Sequence, residues 1–493
     1  MPDHLRALIA ILIMATAFFA FARKPARAII DSDSYTRRRN LWFVLTLAAF
    51  LASNFWLFVV IATPLLIHAK RREANPLALY FFILFLLPMA DAQIPGIGFF
   101  SNLFVLSYTR LLALAILLPI FFQLRRSDAP AFFRTGPDKA LAAYLLLSTV
   151  LFLRDANLTM GLRHAFYLFT DVFLPYFVIS RSLRNLQSYR DAVLSLVLAI
   201  MLIALIAVFE STKHWLLYAS VNAALDLKSG MTGYIGRDGI LRAIVTAGQP
   251  IALGLLMVAG MGFYLYLQRS IQQNFSRRFG MVLLAGGLIA PLSRGPWVGA
   301  VALLVVFAVT GRNPVRRLIS LSLAAMLVFT LASILPGGER VINLLPFIGS
   351  TDTANIDYRD RLLTNSMIVI QRSPWFGSTT YRDTPEMEEM RQGEGIIDIV
   401  NSYVAIALEY GFVGLGLFVG FFVLTLFGIY RAMHSISDKN SEEYLLGRAL
   451  LSTLLAIMVT IFTVSSITII PLVYWSVAGL GVAYAQMMKK NAV

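Results

Sequence analysis

The residues best suited to chemistry are arginines in the second half of the chain. Arg294 lies in the run Ser-Arg-Gly-Pro-Trp, and Arg359 lies in a stretch predicted as a helix that Asp357 caps and Pro374 ends. A guanidinium group binds phosphate oxygens through two parallel hydrogen bonds and stays charged at every relevant pH. Such arginines suit an anionic lipid or solute, for example a lipid-linked diphosphate, whose leaving-group charge they would stabilise.

Two further arginines are reserve candidates for this role. Arg242 opens an apolar segment at 243–268, and Arg361 lies two positions after Arg359. Positions two apart on a helix point about 200° apart. We expect Arg359 to face the membrane domain and Arg361 to be solvated. The apolar face with Arg359 also carries Leu363, Ser366, Met367 and Ile370, and the polar face carries Asn365, Ile368 and Arg372.

Carboxylates precede the next long apolar segment. The stretch from Glu394 to Tyr403 contains Asp398 and Asn401. If this stretch is helical, Glu394 and Asp398 share one face, as do Asp398 and Asn401. A carboxylate there could be the general base for a sugar hydroxyl, and a solvated acidic cluster fits either residue equally well.

One acid and one arginine lie inside apolar runs. Arg110 falls in the segment 105–124, and Asp171 falls in the segment 164–180. An unpaired charge in a bilayer costs at least about 2.5 kcal/mol, so the two are candidate partners. A structural ion pair explains them as well as a functional role does.

Composition identifies the chain as a membrane protein. Of its 493 residues, 58% are apolar and 14% charged, and none is cysteine. Apolar runs near the ~20 residues needed to cross a bilayer recur from end to end. A soluble enzyme, a disulfide scaffold, a thiolate metal site and a disordered tail are therefore excluded. Only five histidines are present, and they are scattered, which argues against a histidine metal site.

The positive charge predicts orientation. Of 42 lysines and arginines, 27 fall in short connectors between apolar segments. Cytoplasmic connectors of membrane proteins carry an excess of lysine and arginine. The net charge of +15 therefore indicates membrane orientation and not a nucleic-acid-binding surface. The pattern predicts an all-α polytopic fold with about 12 to 15 crossings, a hairpin in 41–67 turning near 52–54, and an inner-membrane location.

Four regions follow from this topology. Residues 1–240 are N-terminal spans with a short periplasmic segment at 211–240, and 241–336 is a transmembrane core with the Ser-Arg-Gly turn outside. Residues 337–402 form a periplasmic loop, read as a folded lid because it contains apolar clusters such as Trp375-Phe376, and 403–493 are C-terminal spans. A loop of this length is usually functional or disordered.

These motifs, in this order, resemble the O-antigen ligase/Wzy-type polymerase superfamily. The resemblance rests on Ser293–Trp297, Tyr358-Arg359, Ser373–Gly377 and the run from Asn401 to Gly414, and it covers roughly 240–430. Exopolysaccharide polymerases look most similar, because they share the stretch from Gln392 to Asn401. The resemblance implies a GT-C-like membrane glycosyltransferase with its active site at the periplasmic face.

One departure from the family pattern favours a polymerase. The ligases usually carry a catalytic histidine immediately before this asparagine, whereas Val400 precedes Asn401 here and 337–402 contains no histidine. The resemblance then implies inverting, metal-independent transfer of a growing glycan from undecaprenyl diphosphate to the next lipid-linked repeat unit. Arg294 and Arg359 would hold the diphosphate, Asp398 or Glu394 would be the base, and Asn401 would orient the acceptor.

Two alternatives remain open. One is a ligase that transfers lipid-linked polymer to lipid A-core or another acceptor, and the other is an anion transporter. A transporter should place polar residues near the bilayer midplane, whereas here they cluster at the outer surface. We expect no cofactor, no metal and no nucleic acid. The expected partners are the lipid-linked oligosaccharide, membrane lipid, a chain-length regulator and export proteins.

Overall fold

The computed structural model describes residues 1–96, 102–127, 130–225, 227, 236–237, 239–334, 353–392 and 395–491. Helices account for 76% of these residues. Eight of the described helical segments are long and apolar enough to cross a membrane. The protein is therefore a polytopic all-α membrane protein, as the composition predicted, and the total of about 12 to 15 crossings stays a prediction.

The first half of the chain contains eleven described helices and two π-helical stretches. They are α1 (Asp3–Arg27), α2 (Ser32–Leu51), α3 (Phe55–Arg72), α4 (Pro76–Leu84), α5 (Tyr108–Leu112), α6 (Leu118–Arg126), α7 (Gly136–Asp155), α8 (Leu158–Leu168), α9 (Leu174–Ser182), α10 (Leu186–Lys213) and α11 (Ala219–Ala224). The π-helical stretches Ala113–Leu117 and Phe169–Phe173 join α5 to α6 and α8 to α9.

The second half continues with nine described α-helices. They are α12 (Pro250–Leu267), α13 (Asn274–Ile289), α14 (Arg294–Val309), α15 (Pro314–Ile334), α16 (Thr353–Arg372), α17 (Pro385–Glu388), α18 (Ser402–His434), α19 (Glu442–Ile461) and α20 (Ile470–Asn491). Two short antiparallel hairpins complete the described structure. They pair β1 (Asp91–Pro95) with β2 (Asn102–Ser107), and β3 (Gly236–Arg237) with β4 (Ile240–Leu241).

The helices form two compact units. The first consists of Met1–Pro130, Phe169–Ser293 and Thr468–Val493, and the second of Ala131–Leu168 and Arg294–Ile467. Within the second unit α14 packs against α19, and α18 packs against α7. The second unit contains Arg294, Arg359, Asp398 and Asn401, so most of the predicted site lies in one unit.

The predicted hairpin within 41–67 is confirmed. Helix α2 ends at Leu51 and α3 begins at Phe55, with the turn at 52–54. The turn ends where Asn54 caps α3, because its side-chain oxygen accepts a hydrogen bond from the Leu57 amide at 2.9 Å. The apolar run 41–67 therefore contains parts of two helices.

Several predicted boundaries are wrong. The apolar run at 77–89, which the sequence would suggest as one span, forms only the nine-residue α4, and the hairpin β1–β2 follows it. The span predicted to start after Arg242 begins at Pro250, since proline favours the first helical turn and Val245 has a left-handed backbone (φ 50°). The helix predicted to begin at Asp357 already begins at Thr353, so Asp357 lies inside it.

The basic stretch 23–40 contains the end of α1, a short turn and the start of α2, and one of its arginines is buried. Arg38 is 2% exposed and donates hydrogen bonds to Glu73 at 2.7 Å and to Asp191 at 2.5 Å. Ser195 accepts a third bond at 2.7 Å. Buried charges persist when they are paired in this way, so this arginine joins α2, the end of α3 and α10 within the first unit.

Helix α18 is broken near its start, contrary to the single span predicted at 403–430. The backbone at Gly411 is not helical (φ 66°, ψ −169°). The rings of Tyr403 and Phe418 lie 6.2 Å apart, although fifteen residues of straight helix would separate them by about 22 Å. The short arm 402–410 therefore folds back against the long arm 412–434.

Residues 353–392, here called the lid segment, fold around a core shared with 397–408. Its buried members include Leu362, Val369, Ile370, Tyr381, Met387, Met390, Ile397, Ile399, Ala407 and Leu408. Met387 and Met390 are therefore core residues of the lid segment. Trp375 and Phe376, which helped to predict a folded lid, lie outside this core and are 66% and 49% exposed.

Candidate functional site

A cavity of about 360 Å³ lies between the lid segment and the start of α18. Arg359, Asn401, Tyr403 and Thr463 contribute polar groups to its lining. Apolar side chains form the rest of the wall, and they include Leu363, Met367, Val404, Phe412, Leu415 and Phe462. The cavity thus offers a cation and hydrogen-bonding groups beside a hydrophobic surface, as an amphipathic ligand requires.

Arg359 reaches this cavity from the face of α16 that the sequence predicted. Leu363, Met367 and Ile370 line the cavity from the same face. Ser366, predicted on that face too, is buried instead against Met387. Arg361 is exposed and is not among the residues that line the cavity, so the cavity separates the two arginines as the helical period required.

The tyrosine before Arg359 holds the start of the lid helix in place. Its hydroxyl donates to the carbonyl oxygens of Asp398 at 3.1 Å and Met390 at 3.3 Å. Burial raises the pKa of Tyr358 above its ordinary value. The hydroxyl is therefore a stable donor, and it explains physically why tyrosine precedes this arginine.

Two acids of the lid segment, Glu386 and Glu388, are engaged in surface ion pairs. Arg372 donates a hydrogen bond to Glu386 at 3.0 Å and lowers the pKa of that carboxyl below its ordinary value. Arg391 does the same for Glu388 at 2.6 Å. Ionised, paired carboxylates at the surface fasten the lid turns and are poor candidates for the base.

Asp398 is held by a serine that sequence reasoning missed. The Ser465 hydroxyl donates to the Asp398 carboxylate at 2.5 Å. Residues 396–401 are not helical. The prediction that Asp398 and Asn401 share one face of a helix is therefore wrong. Glu394 lies outside the described residues. The only hint in the sequence was a pair of serines that interrupts the apolar run 448–487.

Asn401 is the N-cap of α18. Its side-chain oxygen accepts hydrogen bonds from the amides of Tyr403 at 2.9 Å and Val404 at 3.3 Å. Since the oxygen is used in this way, the NH₂ group is the part of Asn401 that remains for a ligand in the cavity it lines. The side chain therefore offers hydrogen-bond donors to a ligand in this cavity.

The segment after α19 locks the start of α18. Ser402, which is fully buried, donates to the carbonyl of Val464 at 2.7 Å, and Ser466 donates to the Ser402 hydroxyl at 2.7 Å. Together with Ser465, these bonds fix Asp398 and Asn401 against the end of α19. The candidate catalytic residues therefore depend on a loop far away in the sequence.

This arrangement predicts separate effects for the acid and its serine partner. Asp398→Asn should lower the turnover rate by about 10²–10⁴-fold if the carboxylate is the base. Ser465→Ala should lower it by roughly 10- to 150-fold, because a hydrogen bond to a charged group contributes about 1.5–3 kcal/mol. Ser465→Thr keeps the hydroxyl and should retain the rate. Single-turnover kinetics of the purified protein would check this, and an unimpaired Asp398→Asn variant would exclude this residue as the base.

Arg294 is the first residue of α14, in the same unit as the cavity. The following residue, Gly295, lies so close to Thr463 that a Cβ atom would collide with the threonine hydroxyl. Thr463 itself lines the cavity. The close approach that the Ser-Arg-Gly-Pro motif allows therefore brings the start of α14 to the cavity wall.

Arg242 lies in the other unit and is bound to its surroundings. Its guanidinium donates to the carbonyl of Pro291 at 2.9 Å and to the Ser293 hydroxyl at 2.9 Å. The Ala243 amide donates to the Ala290 carbonyl at 3.2 Å. Arg242 thus supports the residues that precede Arg294, which is a positioning contact.

A buried glutamate that the sequence did not single out organises this region. Glu210 is 0% exposed, and its carboxylate accepts hydrogen bonds from the amides of Leu217 at 3.0 Å, Ile244 at 3.1 Å and Val245 at 3.0 Å. Backbone that is neither helix nor sheet needs such partners inside a membrane protein. The sequence offered one signal for this role, because Glu210 is an acid at the end of the apolar run 191–210.

Replacing Glu210 should therefore destabilise the fold. Glu210→Ala leaves three buried amides without an acceptor, at about 1–3 kcal/mol each, so the unfolding free energy should fall by roughly 3 kcal/mol or more. Glu210→Gln keeps one acceptor, so its stability should lie between those of the parent and the alanine variant. Thermal unfolding in detergent measures this, with the exposed Thr212→Ala on the same helix as the neutral control. Equal unfolding temperatures for all three variants would contradict the assigned role.

The two glycine-containing motifs of the site bind each other through their backbones. Ser378 donates to the Leu408 carbonyl at 2.9 Å, while Phe412 and Val413 donate to the carbonyls of Pro374 at 2.7 Å and Trp375 at 3.1 Å. These bonds satisfy groups that the break at Gly411 frees from the helix. We call residues 373–378 and 408–413 together the backbone clamp.

Arg110 and Asp171 form an ion pair, as the sequence predicted. A structural role and a functional role were the two explanations for them. The guanidinium donates to the carboxylate at 2.7 Å and 3.1 Å, and also to the Val105 carbonyl at 2.7 Å. Both residues adjoin or occupy π-helical stretches of the first unit. The pair neutralises two charges within apolar segments, which is a sufficient structural reason for both residues.

Comparison with known proteins adds a family to this geometry. Residues 279–419 match the O-antigen ligase family, Wzy_C, and no curated protein matches the chain. The matched region contains Arg294, Arg359, Asp398, Asn401 and the backbone clamp, but not Arg242. Among the residues that the structure describes, no three histidine or carboxylate side chains come together as metal ligands.

Proposed function

We propose that this chain, a multi-pass member of the O-antigen ligase/Wzy superfamily, is a polysaccharide polymerase. The family supports a polymerase- or ligase-type enzyme of O-antigen or polysaccharide synthesis that uses lipid-linked oligosaccharide. Our proposal is more specific: the enzyme moves a growing glycan from undecaprenyl diphosphate to the next lipid-linked repeat unit. We place it in the bacterial inner membrane with its site facing the periplasm.

The observation that carries this proposal is the composition of the cavity. Arg359 and Asn401 contribute a cation and amide donors, and Leu363, Met367 and Phe412 contribute a hydrophobic wall. A prenyl diphosphate has the same two halves. Arginine binds its phosphate oxygens bidentately, and the apolar wall suits the first isoprene units.

The chemistry is a single displacement at the anomeric carbon of the donor sugar. The acceptor hydroxyl oxygen forms the new bond, and the bond from the anomeric carbon to the diphosphate oxygen breaks. The hydroxyl proton passes to the Asp398 carboxylate, and the electron pair leaves with the diphosphate. Arg359 and Arg294 stabilise the charge that develops on that leaving group, and inversion follows from the single step.

Polymerisation is favoured over ligation by the residue before Asn401. This position is Val400, which lines the cavity with an apolar side chain that cannot exchange protons. A ligase mechanism that uses a histidine at this position lacks its base here. If the protein were a ligase, cells that lack its gene would accumulate long lipid-linked polymer that is not attached to an acceptor. That phenotype would favour ligation.

The decisive experiment uses the purified protein in detergent with a lipid-linked repeat unit from the producing strain. We expect a ladder of elongated products in the presence of EDTA. Arg361→Ala should leave the ladder intact, because that arginine does not line the cavity. No ladder with the native substrate would overturn the polymerase, and uptake of a labelled anion by proteoliposomes would favour transport.

A further inference from the structure

The junction between α14 and α15, residues 310–317, collects cations without acids. It contains Arg312, Arg316 and Arg317, and Arg448 reaches it from α19. Within the described part of the chain, none of these four arginines forms an ion pair. Cations that accumulate in this way favour a bound anion, which would supply the missing counter-charge.

Arg448 shows how close two of these charges are. It is 6% exposed, and it donates hydrogen bonds to the Phe307 carbonyl and the Thr310 hydroxyl. A Cβ atom on Gly311 would lie 3.0 Å from Nη2 of Arg448 and 2.2 Å from Nη1 of Arg317. The two guanidinium groups are therefore neighbours. Burying a cation beside a like charge is costly, and a nearby anion lowers that cost.

A groove of about 520 Å³ opens along the same junction. Arg312, Asn313 and Arg316 contribute two cations and an amide to its lining, and Val315 and Ile319 contribute apolar side chains. Among the residues with described positions, neither guanidinium group of the groove has a hydrogen-bond partner. Both groups can therefore donate to a ligand, and the groove suits an anion that also has an apolar part.

The apolar side of the groove continues along α15. Val315 and Ile319 are 69% and 55% exposed, and Leu323, Met326 and Leu327, which follow on the same helix face, are exposed as well. An exposed apolar face of this length on a polytopic membrane protein adjoins lipid. The cations of the groove thus lie at the end of a surface that suits acyl chains.

The groove is remote from the candidate active site. Helix α14 begins at Arg294, beside the cavity wall, and its 16 residues end at Val309. A helix of this length extends about 24 Å. Because the junction follows the far end of α14, a ligand in the groove does not occupy the cavity.

We propose that this groove binds the headgroup of an anionic phospholipid. Arg312 and Arg316 donate paired hydrogen bonds to the headgroup phosphate, and the acyl chains lie against Val315, Ile319 and the apolar face that follows them. Basic pockets beside membrane helices recognise lipid headgroups through this chemistry. Charge complementarity selects an anionic lipid, because the ammonium group of a zwitterionic lipid cancels its phosphate charge. The site does not depend on the proposed polymerase activity.

Native mass spectrometry of the purified full-length protein in detergent counts bound lipids and tests this site. Phosphatidylglycerol is the anionic probe, and phosphatidylcholine with the same acyl chains is the zwitterionic one. The double variant Arg312→Gln, Arg316→Gln removes both cations of the groove. The double variant Arg71→Gln, Arg72→Gln is the matched control, because it removes two exposed arginines from the end of α3.

We expect the groove variant to bind phosphatidylglycerol about tenfold more weakly than the parent, since it loses two charge-assisted contacts. The control variant should stay within about twofold, because its arginines are exposed and screened. Equal binding by the parent and the groove variant would overturn the proposal, and so would phosphatidylcholine that binds the parent as tightly as phosphatidylglycerol. If inorganic phosphate at constant ionic strength raised the unfolding temperature as much as phosphatidylglycerol, the ligand would be a soluble anion and not a lipid. Arg312→Gln alone repeats the test if the double variant fails to fold.

Discussion

Replacing Arg359 with alanine should lower the rate of ladder formation by about 10²–10³-fold, the usual effect of removing one group that stabilises developing negative charge. Arg359 lines the cavity, so its loss leaves the leaving diphosphate without that cation. Arg294→Ala should have a loss of similar size if Arg294 holds the same group. The rate constant for the chemical step, measured in a single turnover with saturating enzyme, is the quantity to compare.

The lid helix provides a matched control for this prediction. Arg361→Ala removes the same charge two residues away, from a side chain that does not line the cavity. Its rate should stay within about twofold of the parent, since an exposed charge far from the reacting atoms is screened by salt and water. Arg359→Lys keeps the charge but loses the planar fork, so only part of the rate should return. If Arg359→Ala and Arg361→Ala lowered the rate equally, the rate would depend on net charge and not on the position of Arg359 in the cavity.

The second large effect is expected at the backbone clamp. At Gly411 the backbone has φ 66° and ψ −169°, and a Cβ atom would collide with the backbone of Trp375. That conformation costs a residue with a side chain about 1–3 kcal/mol, and overpacking adds about 1–3 kcal/mol. Gly411→Ala should therefore lower the unfolding free energy by roughly 2 kcal/mol or more and reduce the yield of monodisperse protein.

Two glycines farther along the same helix serve as controls. At Gly416 and Gly420 a Cβ atom would meet no other atom within 4 Å, so alanine fits at either position. Gly416→Ala should be neutral or stabilising by up to about 1 kcal/mol, because alanine is the better helix former. Thermal unfolding in detergent compares the two substitutions directly. A Gly411→Ala variant as stable as Gly416→Ala would mean that the helix does not need the break.

Gly377→Ala should resemble Gly411→Ala, since the two glycines face each other across the clamp. Its φ angle is 60°, and a Cβ atom would lie 2.5 Å from the Leu408 carbonyl oxygen. Both motifs were visible in the sequence only as short family-like runs. Their role is structural, because they supply hydrogen-bond partners at the break in α18 and fix Trp375 and Phe376 beside it.

The sequence by itself determined the class of protein and the helix face on which Arg359 lies. Apolar runs of bilayer length, the charge asymmetry of the connectors and the helical period around Arg359 depend only on local order along the chain. The same holds for the turn at 52–54 and for the separation of Arg359 from Arg361. Local patterns predicted these features because the backbone period sets them directly.

Only the tertiary structure decided which distant groups bind Asp398 and Glu210 and which groups satisfy the backbone at Gly411. Asp398 depends on Ser465, which lies 67 residues later, and Glu210 holds amides 34 and 35 residues later. The break at Gly411 needs acceptors from 374–375. Each of these partnerships satisfies a buried polar group across a long sequence separation, and no local pattern encodes which distant group will supply the bond.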